Sequence, residues 1–147
     1  MIVYFDTSAL VKLLVGEPYS DHVRSVFLSA GRAVTHRIAW AELMAGLGKA
    51  RNLARLDEAR LRDAVRDAER VWAGLDVVEV DPLMVRRAGE LALMHGLRGY
   101  DAVHLAAAEA VAHAAGQGVT VAFLAFDRAL NEAGRELGLR PPPLPQG

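Results

Sequence analysis

The sequence contains no cysteine, which excludes disulfide bonds and any metal site built on thiolates. It also lacks any apolar run close to the roughly 20 residues that a helix needs to cross a bilayer. Its first ten residues, MIVYFDTSAL, have an acid at position 6 and no basic leader, so we expect no signal peptide. We therefore expect a cytoplasmic protein whose metal ligands, if it has any, are oxygen or imidazole groups.

Lysine is also scarce, since Lys12 and Lys49 are the only two, and the formal net charge is -1. This balance argues against a protein that holds nucleic acid by its overall charge. An acidic metal site would itself subtract several charges, however, so the rest of the surface can still be basic. Nearly all basic residues are arginines, which suit bidentate phosphate binding, although a GC-rich genome would give the same bias.

Strand-like and helix-like segments alternate along the chain. Short apolar segments predict buried strands at residues 2–5, 33–35, 77–80 and 119–126. Helical spacing predicts helices over residues 7–14, 19–28, 38–50, 56–72, 82–94 and 101–115, and one more after residue 127. This order predicts a three-layer α/β/α fold with a central parallel sheet of four to five strands. We expect one domain over residues 1–140 and an irregular, Pro-rich tail over residues 141–147.

Three aspartates stand where predicted strands or loops lead into helices. Asp6 and Asp127 each follow an apolar strand directly, and Asp101 follows the loop LRGY at the start of a helix. In parallel sheets the binding crevice lies at the carboxyl ends of the strands, so these side chains can approach one another. The alternative is that each aspartate merely caps its own helix.

A fourth acid, Glu42, lies in the apolar stretch AWAELMA. On a buried face it would need a compensating partner, whereas on the solvent face it would need none. Four acids gathered together would raise one another's pKa values, which a divalent cation would relieve. Carboxylate oxygens are the ligands that Mg²⁺ and Mn²⁺ prefer, and such a site supports hydrolysis of phosphodiesters.

Several neighbours of the acids have two interpretations each. The hydroxyls of Thr7 and Ser8 could orient Asp6, but ordinary chemistry of a first helical turn explains them equally well. His104 is three residues after Asp101, and we expect a buried core histidine rather than a partner of the acids.

Two arginines flank the acids in sequence. Arg98 and Arg128 could hold RNA phosphates, or they could be solvated surface residues. The apolar faces of the helices that begin near Ile38 and Leu56 exceed what one small sheet needs, which makes them candidates for a protein interface.

Four segments that contain these acids resemble the acidic motifs of PIN-domain nucleases, in the same order along the chain. They are VYFDTSALVK, AEL, LRGYDAVHLA and FDRAL, and they look most like those of VapC toxins of toxin–antitoxin modules. The resemblance implies a five-stranded parallel sheet, Mg²⁺-dependent endoribonuclease activity, a homodimer, and inhibition by a small antitoxin whose tail enters the active-site groove. It implies that Asp6 and Asp101 are the principal metal ligands and that Glu42 and Asp127 complete the cluster.

One departure from this pattern concerns the end of the chain. Where the family has a last strand, this chain has Leu139 and Arg140 followed by three prolines. Proline cannot donate to a strand ladder, so the fifth strand should be absent or very short.

Two other classes of function remain open at this point. An aspartyl-phosphate phosphatase also has an aspartate after its first strand, but it usually has a second one two residues later, where this chain has Ser8. A non-catalytic PIN-like module or a receiver-like module would bind partners only. A receiver would need a lysine after the last strand, which Phe126-Asp127-Arg128 does not supply.

Overall fold

The computed structural model describes residues 1–144 of the chain. Within this range the strands are β1 (Ile2–Phe5), β2 (Arg32–His36), β3 (Asp76–Val78) and β4 (Val121–Leu124). The helices are α1 (Thr7–Leu14), α2 (Ser20–Ser29), α3 (Ala39–Asn52), α4 (Glu58–Ala73), α5 (Pro82–His95), α6 (Gly99–Ala115) and α7 (Arg128–Glu136). Among these helices, none has both the length and the apolar character to cross a membrane.

The four strands form one parallel sheet in the order β3-β2-β1-β4. The prediction of an α/β fold with a parallel sheet is thereby confirmed. The doubtful fifth strand is reduced to one bridge, in which the N–H of Phe123 donates to the carbonyl of Arg140 at 2.8 Å. The three prolines that follow offer no N–H with which to extend it. Residues 141–144 form neither helix nor strand, and the rest of the predicted tail lies outside the described residues.

Helices cover both faces of the sheet, because side chains alternate along each strand. From β1, Tyr4 packs on one face with the core residues of α5, α6 and α7, whereas Val3 and Phe5 pack on the other with those of α1, α2 and α3. The apolar side of α4 packs against α1 and α3 around Val15, Leu47 and Ala64. The apolar side of α4 is therefore buried within the chain. Less apolar surface remains for a protein interface on the two helices that the sequence predicts to begin near Ile38 and Leu56.

The strands β1 and β4 end side by side, and this brings two of the aspartates to one edge. The N–H of Asp6 donates to the carbonyl of Leu124 at 3.1 Å. Strand β4 is shorter than the predicted 119–126, because the N–H of Phe126 donates to the hydroxyl of Ser8 at 3.0 Å instead of to a strand. Residue 127 thus leaves the sheet next to α1.

Two helices begin elsewhere than predicted. Helix α6 begins at Gly99, so Asp101 lies within the first turn and does not cap the helix. The preceding helix ends at Gly96, whose φ of 65° favours glycine, and this turn directs the chain into α6. Helix α3 begins at Ala39, one residue after the predicted start, and Glu42 lies in its first turn.

Candidate active site

Asp6 is a buried carboxylate that is held through one oxygen. Its side chain caps α1, and Oδ1 accepts hydrogen bonds from the Ser8 hydroxyl at 2.6 Å and from the N–H of Ala9 at 3.0 Å. Only 3% of Asp6 is exposed. Burial, the largest cause, raises the pKa of Asp6 from 3.8 to about 6; the charge of Asp101 adds to this, and His104 and the two hydrogen bonds oppose it. A buried carboxylate with this pKa lacks full compensation by protein groups.

Glu42 is half-buried, and two neighbours also hold it through one oxygen. Its Oε1 accepts hydrogen bonds from the Thr7 hydroxyl and from Nε2 of His104, each at 2.7 Å. Burial alone would raise the pKa of Glu42, but these two hydrogen bonds outweigh it and the pKa is lowered. The partner that the sequence required for Glu42 is therefore an imidazole and a hydroxyl, with no lysine or arginine involved.

A buried tyrosine fixes the orientation of this imidazole. The hydroxyl of Tyr4 lies 2.8 Å from Nδ1 of His104, and both residues are almost fully buried. Burial, reinforced by the charges of Asp6 and Glu42, raises the pKa of Tyr4, so the phenol keeps its proton. Nε2 of the ring donates to Glu42, because the pKa of Glu42 is lowered and its carboxylate can only accept.

Asp101 and Asp127 share one guanidinium group. Nε of Arg98 lies 3.3 Å from Oδ2 of Asp101, and Nη2 lies 3.9 Å from Oδ2 of Asp127. Asp127 also caps α7 through Oδ1, which accepts from the N–H of Leu130 at 2.8 Å. A cavity of about 350 Å³ is lined by Glu42 and by the four consecutive residues from Arg98 to Asp101.

The four acids are neighbours in the fold, although they come from four separate elements. Asp6 and Asp101 are close enough to affect each other's charge, Glu42 and Asp101 line one cavity, and Arg98 links Asp101 to Asp127. Asp6 and Asp127 are linked through Ser8 and Phe126. Asp6 and Asp127 thus cap their own helices, as one interpretation predicted, whereas Asp101 does not, and a shared metal site stays a prediction.

The acids are not packed into a preformed cage. Within residues 1–144, no three His, Asp or Glu side chains are close enough to hold a metal ion by themselves. In the same range, the hydrogen bonds to Asp6 and Glu42 reach only Oδ1 and Oε1, which leaves the second oxygen of each for a ligand. Mg²⁺ usually retains several waters and is held by only one or two carboxylates. The donor set thus suits a hydrated divalent cation.

The residues that flank the acids in sequence differ in the contacts that they make. Ser8 bonds to Asp6, as the orienting interpretation expected, whereas Thr7 bonds to Glu42 instead. His104 is 1% exposed, as a core histidine should be, but it also bonds to Glu42. Its place three residues after Asp101 linked it to that acid in the sequence, and nothing there linked it to Glu42. Arg128 has a side chain that is 93% exposed, and it pairs with Glu132 at 3.1 Å and not with any of the four acids within residues 1–144.

Comparison with known protein families identifies the family of this chain. A family model described as the PIN domain matches residues 3–136. The chain belongs to the PIN-domain family.

Within that family its relatives include ribonucleases of the VapC group. Ribonuclease VapC49 of Mycobacterium tuberculosis (strain ATCC 25618 / H37Rv) is 40% identical over 142 residues, which are 97% of this chain and 95% of the relative. The crystal structure of Mycobacterium tuberculosis VapC20, described as a sarcin-ricin loop cleaving toxin, is similar with a TM-score of 0.66 and 20% identity, over 90% of this chain and 95% of that one. A toxin–antitoxin complex from Klebsiella pneumoniae has a chain with a TM-score of 0.61 and 16% identity, over 85% of this chain and 86% of that one.

Proposed function

We propose that this protein is an endoribonuclease that depends on Mg²⁺ or Mn²⁺ and hydrolyses RNA phosphodiester bonds. The observation that carries the proposal is the buried carboxylate of Asp6, whose raised pKa and unpaired second oxygen call for a cation. Curated relatives that are named ribonucleases support the same activity, and they favour it over an aspartyl-phosphate phosphatase or a receiver-like module.

The residues divide into ligands and residues that hold the ligands. Asp6 and Asp101 would be the principal metal ligands, and Glu42 and Asp127 would complete the acidic cluster. A bound divalent cation would offset the charge of the phosphate and lower the pKa of the attacking water. Thr7, Ser8 and His104 fix the carboxylates by bonding one oxygen of each, so that little reorganisation remains when a ligand arrives.

Arginines around the acids would hold the RNA backbone. The guanidinium of Arg98 is 82% exposed and lies beside two of the acids, where it can move to a phosphate once a metal neutralises them. Arg128, whose side chain is also exposed, would contact a phosphate further from the site of cleavage.

We further propose that the protein is the toxin of a toxin–antitoxin module, acts on cytoplasmic RNA and is a homodimer. The support for this role is the group of relatives named VapC, together with structural similarity to a chain of a toxin–antitoxin complex. A small antitoxin would then be its inhibitor, and its tail would compete with RNA for the groove around the acids.

The activity is tested by incubating the purified protein with cellular RNA. We expect cleavage in millimolar Mg²⁺ or Mn²⁺, loss of cleavage in excess EDTA, and recovery when Mn²⁺ is restored. Cleavage that continues unchanged in EDTA would contradict the proposal.

The buried imidazole gives a further prediction. We expect His104→Ala to lower RNA cleavage about 10- to 100-fold, because Glu42 loses a donor that orients it. The substitution should also lower the free energy of unfolding by about 1–3 kcal/mol, since the buried hydroxyl of Tyr4 loses its hydrogen bond with Nδ1. Steady-state kinetics and urea unfolding measure the two effects.

Two further variants separate positioning from stability. His104→Gln places an amide N–H near the position of Nε2 and should recover most of the activity. Tyr4→Phe disturbs the same buried network without touching Glu42, so it should lower stability more than activity. If His104→Gln were as inactive as His104→Ala, the orienting hydrogen bond would not be the cause.

A further inference from the structure

An exposed aromatic ring is fixed beside the acidic edge of the sheet. Tyr19 is 67% exposed, and its ring packs on Phe126 with the centroids 5.7 Å apart and the planes inclined by 31°. Phe126 immediately precedes Asp127, and its N–H donates to Ser8, which in turn donates to Asp6. The ring therefore adjoins the candidate active site, while one face of it is open to solvent.

The backbone of Tyr19 is unusual for so large a residue. Its φ of 71° lies in the left-handed region, which glycine adopts freely and which costs free energy for a bulky side chain. The ring is mostly exposed, and its contact with Phe126 is the stabilising interaction that the structure shows for it.

The ring forms one wall of an open groove whose other wall is basic. The groove has a volume of about 490 Å³, and α7 contributes Arg128, Asn131, Glu132 and Arg135 to its lining. Arg128 and Arg135 are two turns apart on one side of the helix. In the described chain Arg135 has no carboxylate within 4.0 Å, whereas Arg128 pairs with Glu132. Charges at the rim from Lys12 and Glu17 pair with each other at 3.1 Å.

We propose that this groove binds single-stranded RNA next to the bond that is cleaved, with a base stacked on Tyr19 and phosphates on Arg128 and Arg135. Aromatic rings that stack bases beside cationic groups that hold phosphates are the usual means of binding single strands. The proposal rests on the proposed function, because it assumes that RNA is the substrate of the adjoining acids.

The lining favours RNA over a protein partner. Besides the two aromatic rings, Ala125 is the only apolar side chain in its lining, so the groove offers little aliphatic surface for a protein partner to bury. A planar ring beside two arginines at the spacing of two helical turns, of which Arg135 has no carboxylate within 4.0 Å in residues 1–144, matches a base and its backbone better. The experiment must therefore be able to detect binding of an antitoxin, instead of RNA, in this groove.

The experiment measures the Kd of a fluorescent single-stranded oligoribonucleotide of roughly 12 nucleotides by anisotropy, in EDTA so that the RNA stays intact. We expect Tyr19→Gly to weaken binding about 5- to 100-fold and Tyr19→Phe to leave it nearly unchanged. Glycine adopts the positive φ without strain, so weaker binding cannot be attributed to a destabilised turn. The same RNA in a duplex should bind both variants equally, because its bases are not free to stack.

The role of Arg135 is tested by the salt dependence of RNA binding. Arg135→Gln should weaken binding and reduce the slope of log Kd against log salt by about 1, as expected for the loss of one phosphate contact. Arg62→Gln on α4 removes the same charge from an exposed position that lines no part of the groove, and it should change neither quantity.

Two outcomes would overturn the proposal. One is that Tyr19→Gly and Arg135→Gln bind the single strand as wild type does, and the other is that they affect only inhibition by an antitoxin, which would assign the groove to a protein. Cleavage of the same RNA by the wild type in Mn²⁺ is measured in parallel. Absence of that cleavage would refute the proposed function, whereas cleavage with unchanged Kd values would refute the groove alone.

Discussion

Replacing Asp6 by asparagine is expected to lower the rate of metal-dependent RNA cleavage at least about 1000-fold. The side chain is 3% exposed and bonds to Ser8 and Ala9 through Oδ1 only. The oxygen of an asparagine side chain can accept both of these hydrogen bonds, so the start of α1 should remain intact. What the substitution removes is the negative charge that attracts the cation. Initial rates of RNA cleavage in Mn²⁺ measure the effect.

The matched control replaces an aspartate by asparagine at the opposite edge of the sheet. Asp76 begins β3, where it is exposed and pairs with Arg32 at 2.8 Å. Asp76→Asn should leave the rate within about twofold of wild type, since an exposed ion pair of this kind contributes little. If Asp6→Asn retained wild-type cleavage, the acidic edge would not be the active site.

The same substitution is expected to stabilise the protein when no divalent cation is present. Between about pH 4 and pH 6 the folded chain keeps a proton on Asp6 that the unfolded chain has lost, so stability falls as the pH rises through this window. A pKa raised from 3.8 to about 6 corresponds to about 3 kcal/mol, all of which is lost above pH 6. We therefore expect Asp6→Asn in EDTA at pH 7.5 to unfold at higher urea concentration than wild type.

The pH dependence of the difference in stability between Asp6→Asn and wild type separates the effect of the charge on Asp6 from other effects of the substitution. Glu42, whose pKa is lowered, contributes with the opposite sign and loses stability as the pH falls, but it does so equally in both proteins. Near pH 4 the gain from Asp6→Asn should therefore vanish. Mn²⁺ should reverse the order of stability at pH 7.5, because ligand binding stabilises only the protein that binds it. A variant that is less stable than wild type at every pH in EDTA would contradict the uncompensated charge on Asp6.

Local patterns predicted the sheet and the position of its aspartates. The apolar run before Asp6 and the one before Asp127 both end at the carboxyl edge of a parallel sheet, which is a consequence of right-handed crossovers between helices and strands. The strand that the sequence extended to Phe126 ends at Leu124, because Ser8 takes the hydrogen bond of residue 126. No pattern in the residues of the strand itself predicts that the strand ends at Leu124.

The network around Glu42 could not be predicted in the same way. His104 meets Glu42 and Tyr4 only in the folded chain, because these partners lie 62 and 100 positions away from it in the sequence. Helical spacing linked His104 to Asp101 but gave no reason to link it to Glu42. The bridge that Arg98 makes between two aspartates likewise depends on the turn after Gly96 and on the start of α6 at Gly99.

Titration calorimetry with Mn²⁺ tests the central claim most directly, which is that acids from separate elements form one divalent-cation site. The account predicts saturable binding to the wild type and to Asp76→Asn, and binding that is lost or weakened at least about 10-fold in both Asp6→Asn and Asp101→Asn. Equal Mn²⁺ affinity in the wild type and in these two variants would contradict it, as would the absence of binding to the wild type at millimolar Mn²⁺.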